Sequence, residues 1–217
     1  MSHIPAEHYF TTEAVQEWTR IAEKHRLRDE QFLRVLVRWF RPGPILEIGA
    51  ATGHLSEILH RRGYDVLASD YSPALANAIG ARGVPAAVVD ATSDIAEQTG
   101  RVFENVLAQG VLPLIWRDAS TVCATLTAIH AALEPKGHLV CIGVHPYWAR
   151  SPESYFTPRE QIGIAKATGL FRLVTSFPHQ VIPTGWYRSW NAWLFNSLDF
   201  HAAHLFSIRL VWVMEKI

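Results

Sequence analysis

Residues 45–53 read ILEIGAATG, and this stretch decides the fold. Ile45, Leu46 and Ile48 form the short apolar run of a strand that is covered on both faces, as in a parallel sheet. Gly49 and Gly53 bound a turn of small residues, where a ligand can approach the backbone N–H groups at the start of a helix. A strand, a glycine-bounded loop and a helix in this order indicate a nucleotide-type cofactor site.

The whole chain has the size and composition of one globular domain. Its 217 residues are 49% hydrophobic and 18% charged, and 20 basic side chains balance 20 acidic ones. This balance provides no overall field that attracts nucleic acid or an acidic membrane, so the expected partner is a small molecule. The N-terminus lacks the features of a signal peptide and no segment has the pattern of a membrane span, which predicts a cytoplasmic protein.

No metal site is predicted. The two cysteines, Cys123 and Cys141, have no metal-ligand spacing and lie in apolar segments, so we expect both to be reduced core residues. His201 and His204 are three residues apart, but no carboxylates accompany them at ligand spacing.

Strand and helix patterns alternate along the chain, which predicts βαβ units with right-handed crossovers and an α/β fold. The predicted strands cover residues 45–49, 65–69, 85–89, 103–108, 138–144, 171–177 and 206–214. Helices are predicted at 53–62, at 73–81, around Ile95, along the apolar stripe of 122–133, and from an N-cap at Thr157 to about Gly169. Residues 12–41 contain two helical patterns, 134–137 a turn, and 178–189 a loop.

Three acidic residues, Glu47, Asp70 and Asp90, lie where the first three strands end. In an open parallel sheet the ligand crevice lies beyond the carboxyl ends of the strands. Asp70 follows the glycine loop at about the distance, roughly 20 residues, at which an acidic residue accepts hydrogen bonds from ribose hydroxyls. For Asp90, a role as the N-cap of a following helix is an equally good interpretation.

Two common phosphate-binding loops are excluded by named residues. A P-loop ends in Gly-Lys-Ser/Thr, whereas this loop continues from Gly53 to His54. A dinucleotide fingerprint that starts at Gly49 requires glycines at the positions of Ala51 and His54.

The remaining pattern resembles the class I S-adenosylmethionine-dependent methyltransferases, of the small-molecule type. The first motif is Glu47 to Gly53, and the resemblance continues in family order through VLASDYSPALANAI, VVDAT, FENVLAQGVLPLI, LEPKGHLVCIG and YFTPREQIGIAKATGLFRLV. It covers residues 45–174. The sequence departs from the family at Ala51, where a central glycine is usual, and at Lys136, which replaces a common glycine.

This resemblance implies S-adenosylmethionine as the cofactor and a role for each matched residue. The loop with Gly49, Ala50, Ala51 and Gly53 would lie against the methionine part, and Glu47 before it would also bind the cofactor. Asp70 would bind the ribose, and Tyr71 would pack on the face of the adenine. Asp90 and Ala91 would contact the edge of the adenine, and Gln109 would lie near the sulfonium end.

The resemblance also implies the architecture of a Rossmann-like, doubly wound seven-stranded sheet. This sheet would be mostly parallel with an antiparallel last strand, and helices would cover both faces. We expect a single domain with three parts: an N-terminal helical cap at residues 1–43, a cofactor-binding core at 44–144, and an acceptor-side half with an aromatic-rich insertion at 145–217.

A general base is expected beyond the fourth or fifth strand. His145 fits best, because it follows the fifth strand and the pKa of an imidazole suits proton abstraction near neutrality. Tyr147, His179 and His54 are weaker candidates, and a structural role for a single histidine remains open. The acceptor would contact aromatic residues outside the common core, for which we select Tyr9, Trp18, Tyr147 and Trp186.

The sequence therefore predicts a methyltransferase that acts on oxygen or nitrogen of a small metabolite. The Asn-Pro-Pro-aromatic signature of base-modifying enzymes is absent after the fourth strand, which disfavours a nucleic-acid acceptor. An alternative is a protein of the same fold that binds the cofactor without methyl transfer, as a rearranging enzyme or a partner subunit. NAD-dependent oxidoreduction is disfavoured by Ala51 and His54.

Overall fold

The computed structural model describes residues 11–143, 156–179 and 209–217. Within these ranges the chain alternates between helices and strands as the sequence predicts. The helices are α1 (Thr12–Leu36), α2 (His54–Arg61), α3 (Pro73–Gly80), α4 (Ile95–Thr99), α5 (Leu112–Ile115), α6 (Ala119–Ala132) and α7 (Pro158–Ala167). The strands are β1 (Ile45–Ile48), β2 (Val66–Asp70), β3 (Ala86–Val88), β4 (Phe103–Gln109), β5 (Leu133–Gly143), β6 (Phe171–His179) and β7 (Arg209–Lys216).

These strands form one sheet of seven in the order β3-β2-β1-β4-β5-β7-β6. The first five strands pair in parallel, and β7 is antiparallel to both β5 and β6. The predicted Rossmann-like sheet with an antiparallel last strand is therefore confirmed. The strand order reverses between β1 and β4, which is the position where open α/β sheets bind ligands.

Both faces of the sheet are covered by helices. All four residues of β1 are buried, as expected for a strand at the centre of a doubly wound sheet. On one face, α1, α2 and α3 pack with residues such as Phe32, Leu59 and Ile79. On the other face, α6 presents Val122 and Leu126 within the predicted stripe, next to side chains of α4, α5 and α7.

The N-terminal segment differs from its prediction. Residues 12–41 were predicted to hold two helical patterns, and the structure has one continuous 25-residue helix, α1, followed by a 3-10 turn at Val37–Trp39. The physical reason is that α1 contains neither glycine nor proline, so nothing interrupts its hydrogen-bond ladder. The helix α5, just after β4, was not predicted at all.

The turn predicted at 134–137 is incorporated into β5 as a bulge. While β4 advances from Phe103 to Asn105, β5 advances from Leu133 to His138, so the extra residues loop out of the ladder. Lys136 has a φ of 64°, a left-handed conformation that favours glycine. This conformation would suit the glycine that the family resemblance implies at this position.

Three smaller corrections concern element ends and one cysteine. The sixth strand extends through Pro178 to His179, into the range predicted as a loop, and the last strand ends at Lys216, while its predicted start at residue 206 lies outside the described residues. Pairing with β7 continues along β6 to His179, which keeps this edge strand extended. Cys141 is buried as expected, whereas Cys123 is exposed, because it lies outside the buried stripe of α6.

Among the described residues, no helix combines the length and the apolar composition that crossing a bilayer requires.

Candidate cofactor site

The candidate site lies at the carboxyl ends of β1, β2 and β4. Ile48 pairs with Ser69 of β2 on one side and with Ala108 of β4 on the other. Gly49, Asp70 and Gln109, which each follow one of these residues, therefore reach the same level of the sheet edge. The structure brings these three predicted residues together from separate parts of the chain.

The loop between β1 and α2 requires glycine at both of its ends. Gly49 and Gly53 have φ values of 63° and 72°, and Ala51 between them has a φ of 51°. A Cβ atom at Gly49 would lie 2.4 Å from Cγ2 of Val111, and one at Gly53 would lie 2.9 Å from Ile79. Ala51 adopts the left-handed backbone conformation that glycine would adopt more easily. The replacement of the usual glycine by Ala51 therefore adds a side chain without changing this conformation of the loop.

Backbone hydrogen bonds hold this loop against the neighbouring strand. The N–H of Ala50 donates to the carbonyl oxygen of Ser69 at 2.8 Å, and the N–H of Gly53 donates to that of Ala50 at 2.8 Å. Gly53 then occupies the N-cap position of α2, where it offers no side-chain oxygen to the helix. The first N–H groups of α2 therefore need acceptors from elsewhere.

Glu47 supplies one of those acceptors from within β1. Its carboxylate is buried and accepts hydrogen bonds from both the hydroxyl and the backbone N–H of Ser56, in the first turn of α2. Burial raises the pKa of Glu47 to about 7, against the effect of these hydrogen bonds, and the nearby Asp29 and Asp70 raise it further. Glu47 thus holds the first turn of α2, which directly follows the cofactor loop. Direct contact of Glu47 with the cofactor stays a prediction.

Asp70 links the end of β2 to the same loop. One carboxylate oxygen accepts from the N–H of Ala51 at 2.9 Å, and the other accepts from the N–H of Ser72 at 2.9 Å. Burial raises the pKa of Asp70, while these hydrogen bonds and one from the N–H of Tyr71 oppose the rise. The two oxygens together have about four acceptor sites for three N–H donors, so the carboxylate can accept a further hydrogen bond from a ligand.

Asp90 is engaged in a local turn. One oxygen accepts from the N–H and the hydroxyl of Thr92, at 2.8 and 2.7 Å, and the other accepts from the hydroxyl of Ser93 at 3.3 Å. Although partial burial opposes the effect, these hydrogen bonds lower the pKa of Asp90. The N-cap of α4 is Asp94, so the helix-capping interpretation of Asp90 is wrong, and Asp90 instead holds the turn before that helix. Contact of Asp90 with a cofactor remains a prediction.

The other predicted contact residues have contrasting surroundings. Tyr71 directly follows Asp70 and is 60% exposed, which leaves most of its side chain outside the core. Gln109 ends β4 and is partly buried, whereas Ala91 is buried beside the core of the α6 face.

Most residues predicted for catalysis and acceptor binding lie outside the described ranges: Tyr9, His145, Tyr147 and Trp186. Trp18 is described and lies partly buried on α1. Of the weaker base candidates, His179 ends β6, and His54 begins α2 with a mostly buried ring near Asp29. Among the described residues, no group of three or more His, Cys, Asp or Glu side chains is arranged to hold a metal ion.

Sequence reasoning missed three residues that shape the site: Asp29, Ser56 and Val111. Ser56 contacts Glu47, Val111 lies over Gly49, and Asp29 faces His54. The one signal in the sequence was the charge of Asp29, which interrupts an apolar helical stripe.

Comparison with known proteins identifies the domain type. The family model for a methyltransferase domain matches residues 18–205, which is most of the chain. A search among curated proteins gave no sequence match.

Solved structures with the same fold come from several bacteria. A possible histamine N-methyltransferase from Thermotoga maritima is 16% identical with a TM-score of 0.70, and the match covers 96% of this chain and 98% of that one. The CcbJ methyltransferase from Streptomyces caelestis is 15% identical with a TM-score of 0.65, covering 88% and 89%. The N-methyltransferase NodS from Bradyrhizobium japonicum WM9, in complex with S-adenosyl-L-homocysteine, is 19% identical with a TM-score of 0.62, covering 89% and 87%.

Proposed function

The chain belongs to the class I S-adenosylmethionine-dependent methyltransferases, and from this premise we propose that it methylates an oxygen or nitrogen atom of a small-molecule metabolite. Nitrogen is the first acceptor atom to test, because two of the similar structures are described as an N-methyltransferase and a possible N-methyltransferase.

The arrangement around Asp70 carries this proposal. The carboxylate is fixed by the N–H groups of Ala51, Tyr71 and Ser72, and it keeps acceptor capacity for a ribose hydroxyl of the cofactor. Tyr71, next in sequence and mostly exposed, offers an aromatic face for the adenine. The loop from Gly49 to Gly53 would hold the methionine part, and Gln109 would lie near the sulfonium end.

The bound cofactor supplies a methyl group on a positively charged sulfur, which an acceptor attacks in line. The protein then has two tasks: to hold the acceptor at the correct distance and angle, and to remove a proton from a hydroxyl or ammonium acceptor. We assign the second task to His145. Tyr9, Trp18, Tyr147 and Trp186 would hold the acceptor through aromatic contacts.

The overall charge supports a small acceptor. Equal numbers of acidic and basic side chains provide no field for nucleic acid. The chain also lacks the Asn-Pro-Pro-aromatic signature after β4, where it reads AQGVLP.

Mass spectrometry tests the proposal. The protein is incubated with S-adenosylmethionine and a panel of small amines, phenols and hydroxylated metabolites, and the products are screened for the mass increase of one methyl group together with release of S-adenosylhomocysteine. We expect methylation of at least one amine or hydroxyl compound. Cofactor binding without transfer to any member of a broad panel would instead favour the non-methylating alternative.

A further inference from the structure

Helix α1 carries a buried carboxylate on its apolar face. Asp29, Phe32, Leu33 and Leu36 have the spacing of one helical stripe, and each is no more than 4% exposed. The three apolar members belong to the same core cluster as side chains of α2. Asp29 therefore occupies a position where an apolar side chain would pack without the cost of burying a charge.

This carboxylate faces His54 at the start of α2. Asp29 Oδ2 lies 3.9 Å from His54 Nε2, and the two side chains are 5% and 14% exposed. Within the described part of the chain, Nε2 is buried and has no hydrogen-bond partner. The separation exceeds a hydrogen bond by about 1 Å, so a small approach of α1 toward α2 would form one.

Three further charged groups act on His54, namely Glu57, Arg82 and Arg26, and each of them forms an ion pair. Glu57 forms ion pairs with Arg61 and with Arg82, the latter at 2.9 Å, and Arg26 pairs with Glu30 at 3.1 Å. Burial lowers the pKa of His54, and Asp29 is the charged group that most strongly opposes this decrease, ahead of Glu57. Asp29 is thus the main electrostatic partner of the imidazole.

His54 connects this pair to the candidate cofactor site. It immediately follows Gly53, the last residue of the loop, and belongs to the same helical turn as Ser56, which Glu47 holds. In the first turn of α2, Ser56 therefore contacts Glu47 of β1, and His54 faces Asp29 of α1. A displacement of His54 would be transmitted directly to the loop backbone.

We propose that Asp29 is a positioning residue, which acts through His54 to couple the docking of α1 to the cofactor-binding conformation of the loop at residues 49–53. The inference rests on the proposed function, since it assumes that this loop binds S-adenosylmethionine. The inference predicts that Asp29 strengthens cofactor binding, although an apolar residue would pack better at this position.

The first test measures both the thermal stability and the cofactor affinity of the variant Asp29→Leu. This change completes the apolar stripe, so the variant should melt at the same or a higher temperature than the wild type. Its affinity for S-adenosylhomocysteine, measured by calorimetry, should fall about fivefold or more. In turnover assays, KM for S-adenosylmethionine should rise with little change in kcat, because only binding is affected. Asp29→Asn, which keeps the size of the side chain, serves if the leucine variant does not fold.

The second test measures coupling between the two side chains. His54→Leu should weaken binding to the same extent as Asp29→Leu, and the double variant should be no weaker than either single one. His54→Gln, which keeps a donor nitrogen, should retain most of the affinity. Glu30→Gln, which neutralises the neighbouring carboxylate on α1, is the matched control and should bind as the wild type does.

Affinity of Asp29→Leu within twofold of the wild type, or additive losses in the double variant, would overturn the inference. If the wild type itself fails to bind S-adenosylhomocysteine, the proposed function fails, and the inference fails with it. The wild-type titration therefore distinguishes the two failures.

Discussion

Asp70 is the residue on which the site depends most directly, because it contacts the loop and would also bind the ribose. Asp70→Asn leaves only one carbonyl oxygen to accept hydrogen bonds, so one of the N–H groups of Ala51 and Ser72 loses its acceptor. We expect affinity for S-adenosylhomocysteine to fall by about 1–3 kcal/mol, measured by calorimetric titration.

Asp65→Asn is the control for this substitution. Asp65 directly precedes the same strand, and its side chain is 62% exposed and pairs with Arg101. It should bind the cofactor normally. If Asp70→Asn and Asp65→Asn had equal affinity for S-adenosylhomocysteine, Asp70 would not be a cofactor-binding residue.

The raised pKa of Glu47 predicts that folding stability depends on pH. Its pKa is raised from 4.5 to about 7 in the folded protein, so the folded state binds a proton more tightly than the unfolded state does. The resulting stabilisation is complete below about pH 4.5 and is lost as the pH rises through about 7, a difference of about 3 kcal/mol. Glu47→Gln cannot ionise and should lack this change.

Urea unfolding of both proteins across that pH range measures the effect. The difference between their unfolding free energies isolates Glu47, because the other titrating groups are common to both proteins. Parallel pH profiles for the wild type and Glu47→Gln would contradict the raised pKa of the buried Glu47.

His145 is the residue expected to remove a proton from the acceptor. Its replacement by alanine should lower kcat for a hydroxyl or ammonium acceptor by about 100-fold, the lower end of general-base contributions, and leave the affinity for S-adenosylhomocysteine unchanged. Steady-state kinetics and calorimetry on the same preparation test both statements. Unchanged turnover would exclude His145 as the base.

At the scale of elements, the start of α7 shows how local chemistry defines a helix. Thr157 accepts from the N–H of Glu160 at 3.2 Å, while the N–H of Thr157 donates to the Glu160 carboxylate at 2.7 Å, and Pro158 occupies the first helical position. The N-cap predicted at Thr157 is thereby confirmed. Such a capping box is recognisable from sequence because all of its members are neighbours.

Thr157→Ala removes this cap. We expect unfolding free energy to fall by about 1 kcal/mol, because the N–H of Glu160 loses its acceptor. Cofactor affinity should stay unchanged, since α7 packs through Ile162 and Ala165 on the face opposite α2. Chemical denaturation and titration of the same variant check the two effects, and a loss of affinity without a loss of stability would contradict them.

Elements whose ends depend on distant residues were predicted less well. The apolar stripe of α6 and the strand end at Asp70 follow from short-range patterns, and the structure agrees with them, whereas Glu47 lies within β1. The bulge at Lys136 depends on pairing between β5 and β4, which no local pattern encodes. Similarly, the contact of Asp29 with His54 requires knowing that α1 packs on α2, since 24 positions separate the two residues in the chain.

At the scale of the whole molecule, the alternation of strands and helices predicted the α/β class, and the resemblance supplied the antiparallel last strand. The observed strand order places the reversal between β1 and β4, next to the loop at 49–53. Residues from three separate strands therefore meet at one edge, where Gly49, Asp70 and Gln109 follow paired positions. The acceptor is not encoded in this common core, because other proteins with the same fold act on different compounds.

Calorimetric titration of the full chain with S-adenosylhomocysteine, and separately with NAD, tests the central claim most directly. The family assignment and the geometry around Asp70 predict saturable binding of S-adenosylhomocysteine at one molecule per chain, and Ala51 and His54 in place of fingerprint glycines predict no heat of binding with NAD. Saturable binding of NAD, with no binding of S-adenosylhomocysteine at millimolar concentration, would contradict it.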